Sequence, residues 1–444
     1  VSSGGAVGSP GAALAAVQAA LAAGDAARAR ALADAALTAA PDDPNLRQLR
    51  ALASLRLGQA AAALADAEAV VQAAPHVAGP RVLAGNALAA LARWPDAELA
   101  FRAALAIRPD HADAWYNLGV ARRAQGDNAG AGAAFGRAGS LNPSLHEALQ
   151  GVIDCAAALA AGDADAPPVP RTLADDPGRP WPLLSFVIPS IDPTKFASVR
   201  ASIAARFDGV PHEIVGIHDG RAMAEALNRG GDRARGEWLV FCHDDITFVA
   251  ADFAARLKAC LEHHDLVGVA GTTRLTGPSI TWSGAPHVHG WITHVRPDGV
   301  LRPSIAGARC GVIAGAEGLD GVFLAMRRAS FEQIRFDAAT FDGWHGYDLD
   351  FSLRAARAGL SCAIATDLTL THASYGSFDA AYARYAQAFC DKHAPMPTAP
   401  QVRSPFFATS VDHAGQLERL YGWVASWLTS TTPRSPDGAQ RNPG

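Results

Sequence analysis

The apolar run Trp238-Leu239-Val240-Phe241-Cys242 ends abruptly in His243-Asp244-Asp245. Such a short, uniformly apolar run reads as a buried parallel strand. Open α/β sheets place their ligand sites beyond the carboxyl ends of such strands. There the cluster offers two hard oxygen donors and an imidazole, a set suited to a divalent cation. The same residues would also make a polar turn, with the Asp side chains bonding to nearby backbone N–H groups. Asp348 and Asp350 stand two apart near the head of a second stretch. If a helix has begun there, they diverge by about 200° and only one faces a crevice. Alternatively, one of them caps the helix running to Arg357. His287-Val288-His289, with His294 beyond, suggests a metal pair, but no carboxylate follows at hydrolase spacing; exposed loop histidines are expected, with substrate contact as the alternative. His263-His264-Asp265 is expected to end a helix. The Trp282, Trp291 and Trp344 rings would either stack on a sugar face or pack in cores.

The elements that must position these groups can be read from the surrounding chain. Strands are expected at Leu184–Pro189, Glu213–Ile217, Trp238–Cys242 and Leu266–Ala270, and helices at Lys195–Arg206, Arg221–Arg235 and Ala251–His263. That alternation implies a parallel sheet with helices on both faces. Pro189-Ser190 and His218-Asp219-Gly220 would then end their strands beside His243-Asp244-Asp245 in one crevice. No GxGxxG follows the first strand and no GxxxxGK[ST] occurs, which argues against a dinucleotide fold and a P-loop enzyme.

At 444 residues the chain exceeds one ordinary core, and two or three domains are expected. Apolar content of 49% and a mean hydropathy of +0.07 mark a globular protein. Net charge is −5, and lysine occurs only at 195, 258 and 392, which argues against nucleic acid and electrostatic membrane docking. The cysteines at 155, 242, 260, 310, 362 and 390 show no CxxC spacing and read as buried thiols of a reducing compartment. Without a signal-peptide pattern or a long apolar run, the expected location is cytoplasmic, at most peripheral to the inner membrane.

Prolines stand at 41, 75, 109 and 143, each 34 residues after the last. Gly24, Gly58, Ala92 and Gly126 share that frame, as do Ala29, Ala63, Ala97 and Ala131. A further column holds Ala36, Val70, Ala104 and Ala138. The best-formed unit is Trp115, Leu118, Gly119, Gly126, Ala131, Phe135, Ala138, Pro143, and it resembles the tetratricopeptide repeat. Small residues let paired helices approach closely, and an aromatic at 101 or 135 fills the space between units. Ala33 and Ala67 replace that aromatic in the first two units, which should be thinner.

The second half resembles family 2 glycosyltransferases of the GT-A fold. The resemblance is carried by Leu184-Ser185-Phe186-Val187-Ile188-Pro189-Ser190, by Glu213 to Gly220, and by Ala226-Leu227-Asn228-Arg229-Gly230 leading to the Trp238 strand. It continues through Leu319-Asp320-Gly321-Val322-Phe323 and Phe341 to Arg354. The usual Asp-x-Asp motif reads His243-Asp244-Asp245, and the usual Glu-Asp pair reads Tyr347-Asp348. The resemblance implies an inverting transferase with a divalent cation, Mn²⁺ or Mg²⁺, held by Asp245, His372 and His243. It implies Asp348 as general base, and donor contacts from Pro189, Ser190, Asp219, Asn228, Asp244, Asp320 and His345. The donor would be a UDP-, GDP- or dTDP-linked sugar, and the acceptor a saccharide, lipid-linked group or protein of bacterial cell-surface glycan synthesis. The repeats would recruit that acceptor or a protein partner. The rival reading is an inactive GT-A-like scaffold working through its repeats.

The expected organisation is a disordered start (1–11), an all-α tetratricopeptide solenoid (12–160), a linker (161–182) and an α/β GT-A domain (183–400). A helical extension (401–428), packed back on the domain or on a partner, and a disordered tail (429–444) follow.

Overall fold

A computed structural model of the chain describes residues 10–162, 165–176, 178–374, 379–396 and 406–429. The termini expected to be disordered lie almost wholly outside these residues, although Pro10 and Gly11 already belong to the first helix. The chain forms two compact units, residues 1–142 and 143–444.

The first unit is a run of helical hairpins: α1 (Pro10–Ala22) with α2 (Ala26–Ala39), α3 (Pro44–Arg56) with α4 (Ala60–Ala73), α5 (Ala78–Ala90) with α6 (Trp94–Ile107), and α7 (Ala112–Ala124) with α8 (Asn128–Leu141). The glycine column of the repeat sits at the turn inside each hairpin, with φ of 79° at Gly24, 73° at Gly58 and 83° at Gly126. Ala92 adopts the same left-handed backbone at φ 57°, at a cost of about 1–2 kcal/mol for a residue with a Cβ. Close approach explains a second column. A Cβ on Gly119 would lie 2.7 Å from the Phe135 ring, and Gly85 meets Phe101 in the same way. In the earlier units these columns hold Val17 with Ala33 and Ala51 with Ala67, all fully buried. Small residues on both sides thus close the helix pair without an aromatic.

The second unit opens with α9 (His146–Ala160) and continues through β1 (Leu184–Pro189), α10 (Pro193–Arg206), β2 (His212–Ile217), α11 (Met223–Arg233), β3 (Trp238–Cys242), β4 (Ile246–Phe248) and α12 (Phe253–His263). Then come β5 (Leu266–Gly268), β6 (Ala270–Thr272), β7 (Val288–Val295), β8 (Leu301–Ala306), β9 (Val312–Ala314), β10 (Gly318–Leu319) and β11 (Phe323–Arg327). The remainder is α13 (Arg328–Ile334), α14 (Tyr347–Arg357), β12 (Cys362–Ala365), β13 (Leu370–His372), α15 (Ala380–Lys392), β14 (Phe407–Ala408) and α16 (Ala414–Thr429).

The main sheet has the order β2-β1-β3-β11-β5-β12-β9. Its first three strands are parallel, as the alternation implies. The expectation of an all-parallel sheet fails at β11, which runs antiparallel to both β3 and β5. Between β5 and β11 the chain passes through β6, β7 and β8 of a second sheet, joins the edge of the first at β9 and returns to the second at β10. That reversal pairs Phe323 with Cys242 and so sets Asp320-Gly321-Val322 beside His243-Asp244-Asp245. The second sheet, β10-β6-β7-β13-β4, aligns His372 of β13 with His294 of β7 and with Ile246, the residue after Asp245. Among the described residues no helix is long and apolar enough to cross a membrane.

Within 161–182, read from composition as a linker, the described residues 165–176 and 178–182 lie along the second unit. Two buried cations hold them: Arg256 donates to the Val169 and Pro170 carbonyls, at 2.6 and 3.0 Å, and Lys258 to the Asp176 and Arg179 carbonyls. Proline carries no N–H and leaves its carbonyl free, so a Pro-rich strand is well suited to such a clasp. At the other end of the unit, α16 buries Leu417, Leu420, Tyr421, Val424, Trp427 and Leu428. Arg419 donates to the last carbonyl of α9 at 2.8 and 3.1 Å, and Tyr421 stacks on the buried Trp291 with ring centres 5.4 Å apart. The helical extension therefore packs back on its own domain.

Candidate functional site

His243, Asp245 and His372 bring one ligand atom each to within 4.8 Å of one another. His243 Nδ1 is 3.1 Å from His372 Nε2, which is 3.3 Å from Asp245 Oδ1 and 3.0 Å from Ser374 Oγ. A single ring nitrogen donates one proton or offers one lone pair. His372 Nε2 therefore has more polar neighbours than it can serve. A cation resolves the crowding: donors held at about 2.1 Å from one metal stand about 3.0–3.4 Å apart on a coordination edge, as His372 Nε2 does from His243 Nδ1 and from Asp245 Oδ1. Burial, and then the neighbouring His372, hold the His243 imidazole below its ordinary range, so it is neutral and free to ligate. Burial alone would raise the Asp245 carboxyl, yet hydrogen bonding and charge from His372 keep it well below the usual range. The donor set therefore fits a divalent cation.

Asp348 lies in the first turn of α14, beside Gly321, whose N–H donates to its Oδ2 at 2.8 Å. The helix starts where it does because Gly346 takes φ 78°, a left-handed turn closed off by the Phe341 and Tyr385 side chains. Burial, with the adjacent Asp320 carboxylate, pushes the Asp348 carboxyl up to about 7. Asp350 points the other way. It is fully buried and meets Arg354 at 2.8 Å, His393 at 2.9 Å and Lys392 at 2.6 Å. Its charge is spent on structure. Asp348 instead lines a cavity of about 590 Å³ together with Asp320, His345, His243 and His372. Trp344 lines the same cavity with 48% of its surface exposed, whereas Trp291 is wholly buried.

On the other side of the triad, Ser190 Oγ lies 2.6 Å from Asp244 Oδ2, tying the end of β1 to the end of β3. Pro189 is the last residue of β1, paired with Ile217. Asp219 is exposed at the end of β2 and forms an ion pair with Arg229 at 2.9 Å. Asn228 lies on α11. Its amide donates to the Phe336 carbonyl at 2.8 Å and its oxygen accepts from the Phe336 N–H at 3.0 Å. With both ends of its amide bonded to one backbone residue, Asn228 fastens α11 to the loop before α14.

Other members were not evident in sequence. Lys195, on α10, brings Nζ to 3.8 Å from Asp245 Oδ2. Of the three lysines, Lys258 is buried in the clasp and Lys392 is paired with Asp337 and Asp350, which leaves Lys195 facing the site. Scarcity of lysine was the available signal. The expectation of exposed loop histidines is also corrected. Val288–Val295 is a strand, His289 is buried within it, and burial lowers its imidazole to about 4. His294 lines the cavity with its ring centre 5.8 Å from that of His372. The alternation of His287, His289 and Trp291 was the legible sign of a strand. His263 ends α12 as expected, and Asp265 accepts from the Ser361 N–H.

Residues 185–393 match the family described as "Glycosyltransferase like family", and residues 82–144 match the tetratricopeptide repeat. The chain thus carries a glycosyltransferase-like family domain after a tetratricopeptide region. No curated protein matches it. Similar solved structures include TTC0263, a thermophilic TPR protein in Thermus thermophilus, at 21% identity over 34% of this chain and 83% of its own, with a TM-score of 0.32. Another is MamA 41-end from Desulfovibrio magneticus RS-1, at 25% identity over 31% of this chain and 77% of its own, with a TM-score of 0.29.

Proposed function

We propose that the second unit transfers a sugar from a nucleoside-diphosphate donor to an acceptor hydroxyl, by single displacement with inversion. The observation that carries this reading is the placement of Asp348, poised near neutrality, in one cavity with His243 and His372 of the triad. The Asp348 carboxylate takes the acceptor proton as the acceptor oxygen bonds to the anomeric carbon. The bond from that carbon to the phosphate oxygen breaks, and its electron pair leaves with the nucleoside diphosphate. His243, Asp245 and His372 would hold the divalent cation, which when bound offsets charge on the departing diphosphate. Lys195 supplies a second positive charge at the same place, and Trp344 an exposed ring for a sugar face.

A thermal-shift panel of UDP-, GDP- and dTDP-sugars with Mn²⁺ tests the reading. A true donor at a hundredfold excess over Kd stabilises the native state by about 2.7 kcal/mol. If no nucleotide sugar raises Tm, the scaffold reading replaces this one. In the transferase reading the repeats recruit the acceptor. Because α9 packs within the second unit, the informative truncation removes residues 1–142 and keeps α9. That protein should hydrolyse donor at the rate of the full chain while losing transfer to its native acceptor. Equal loss of both activities would exclude a recruiting role.

A further inference from the structure

His243 is held from both ring nitrogens. Nδ1 faces His372 Nε2 at 3.1 Å, and Nε2 lies 3.3 Å from the Tyr347 hydroxyl oxygen. For His243 and His372 to share a cation, both nitrogens of the 3.1 Å pair must present lone pairs, because a proton between them would occupy the cation's place. His243 must then carry its proton on Nε2, the atom that faces Tyr347. We propose that Tyr347 is a positioning residue: its oxygen accepts the Nε2–H of His243, fixes that tautomer, and so aims Nδ1 at the cation.

The surroundings suit the role. Tyr347 is buried, and its ring packs near Phe336 with centres 6.0 Å apart. Its hydroxyl is also hemmed in by Gly321, where an added Cβ would collide with it. A phenol so confined cannot swing away from the imidazole. It is also the neutral choice. A carboxylate at this position would add negative charge beside Asp348 and Asp320, whereas a phenol orients the ring and leaves those charges unchanged. Outer partners that fix a ligating imidazole contribute on the order of 10–100-fold to metal affinity. Tyr347 also immediately precedes Asp348 on α14, so one helix turn would set both the ligand geometry and the base.

This inference rests on the triad holding a cation and is independent of which sugar is transferred. Isothermal titration calorimetry of the full chain with Mn²⁺ alone tests it. Tyr347→Phe should weaken Mn²⁺ binding roughly 10–100-fold. The decisive comparison is the same change in a His243→Asp background. A carboxylate has no tautomer to fix, so Tyr347→Phe should there leave affinity unchanged. Equal losses in both backgrounds would mean that Tyr347 acts only through packing and would overturn the proposal. If Tyr347→Phe fails to fold, ¹⁵N-histidine NMR of the unaltered protein with Zn²⁺ decides. Protonation of His243 at Nε2 supports the proposal, and protonation at Nδ1 refutes it. Wild-type affinity too weak to titrate with either metal would refute the cation site itself, a result separable from any failure to find a sugar donor.

Discussion

Replacing Asp348 by Asn should lower kcat for sugar transfer by roughly a hundredfold to ten-thousandfold, the usual worth of a positioned proton acceptor. KM for the donor should change little, because the amide keeps the shape of the side chain. In the unaltered protein, kcat/KM should fall about tenfold per pH unit below about 7, since the base must be ionised and its carboxyl titrates there. The same shift predicts a stability effect of definite sign. An Asp in the unfolded chain loses its proton near about pH 4, while folded Asp348 keeps it to about 7. Between those values the folded state binds the extra proton, so stability falls as pH rises through the window. Asp348→Asn should remove that fall and raise Tm above about pH 7, even as it abolishes turnover. A variant that retains transfer, or one that lowers Tm at mildly alkaline pH, would show that Asp348 is not the base.

Removing a member of the triad should be nearly as damaging. Asp245→Ala or His372→Ala takes away a direct ligand, and the charge compensation it supports is worth several kcal/mol, on the order of a thousandfold in rate. Mn²⁺ affinity should collapse in parallel, and chelation of the unaltered protein should reproduce the loss until Mn²⁺ is restored. The imidazole donors carry a further expectation. Nitrogen donors disfavour Mg²⁺ relative to softer divalent ions, whereas carboxylates suit it. His243→Asp should therefore retain activity and move the preference toward Mg²⁺. Unchanged transfer in the Ala variants, or full activity after exhaustive chelation, would exclude the cation site.

What could be read from the chain, and what could not, divides along physical lines. The 34-residue columns were legible because each records a local demand: a left-handed backbone at Gly24, Gly58 and Gly126, and a ring seated on Gly119. The abrupt change from Phe241-Cys242 to His243 was legible because a buried strand end must turn polar. The reversal of β11 and the clasp on Val169, Pro170, Asp176 and Arg179 were not. Each depends on partners far along the chain, as Arg256 is from Val169, and no short-range pattern encodes them. The bond of Asn228 was hidden for the same reason, since its partner at Phe336 lies 108 residues away. Asp348 and Asp350 show the middle case. Periodicity said that they diverge, and only His393 and Lys392 decide which is spent on structure.

The closure of α16 on α9 also bears on how the protein is made. Arg419 and the carbonyl it binds are 259 residues apart, which at ordinary translation rates is about 13–50 s of synthesis. The hairpins α1 to α8 satisfy themselves from neighbours and can form as they emerge. The second unit must wait, with α9 already made and its apolar face unpaired. Until α16 arrives, that face is an aggregation hazard, and chaperone dependence should concentrate there.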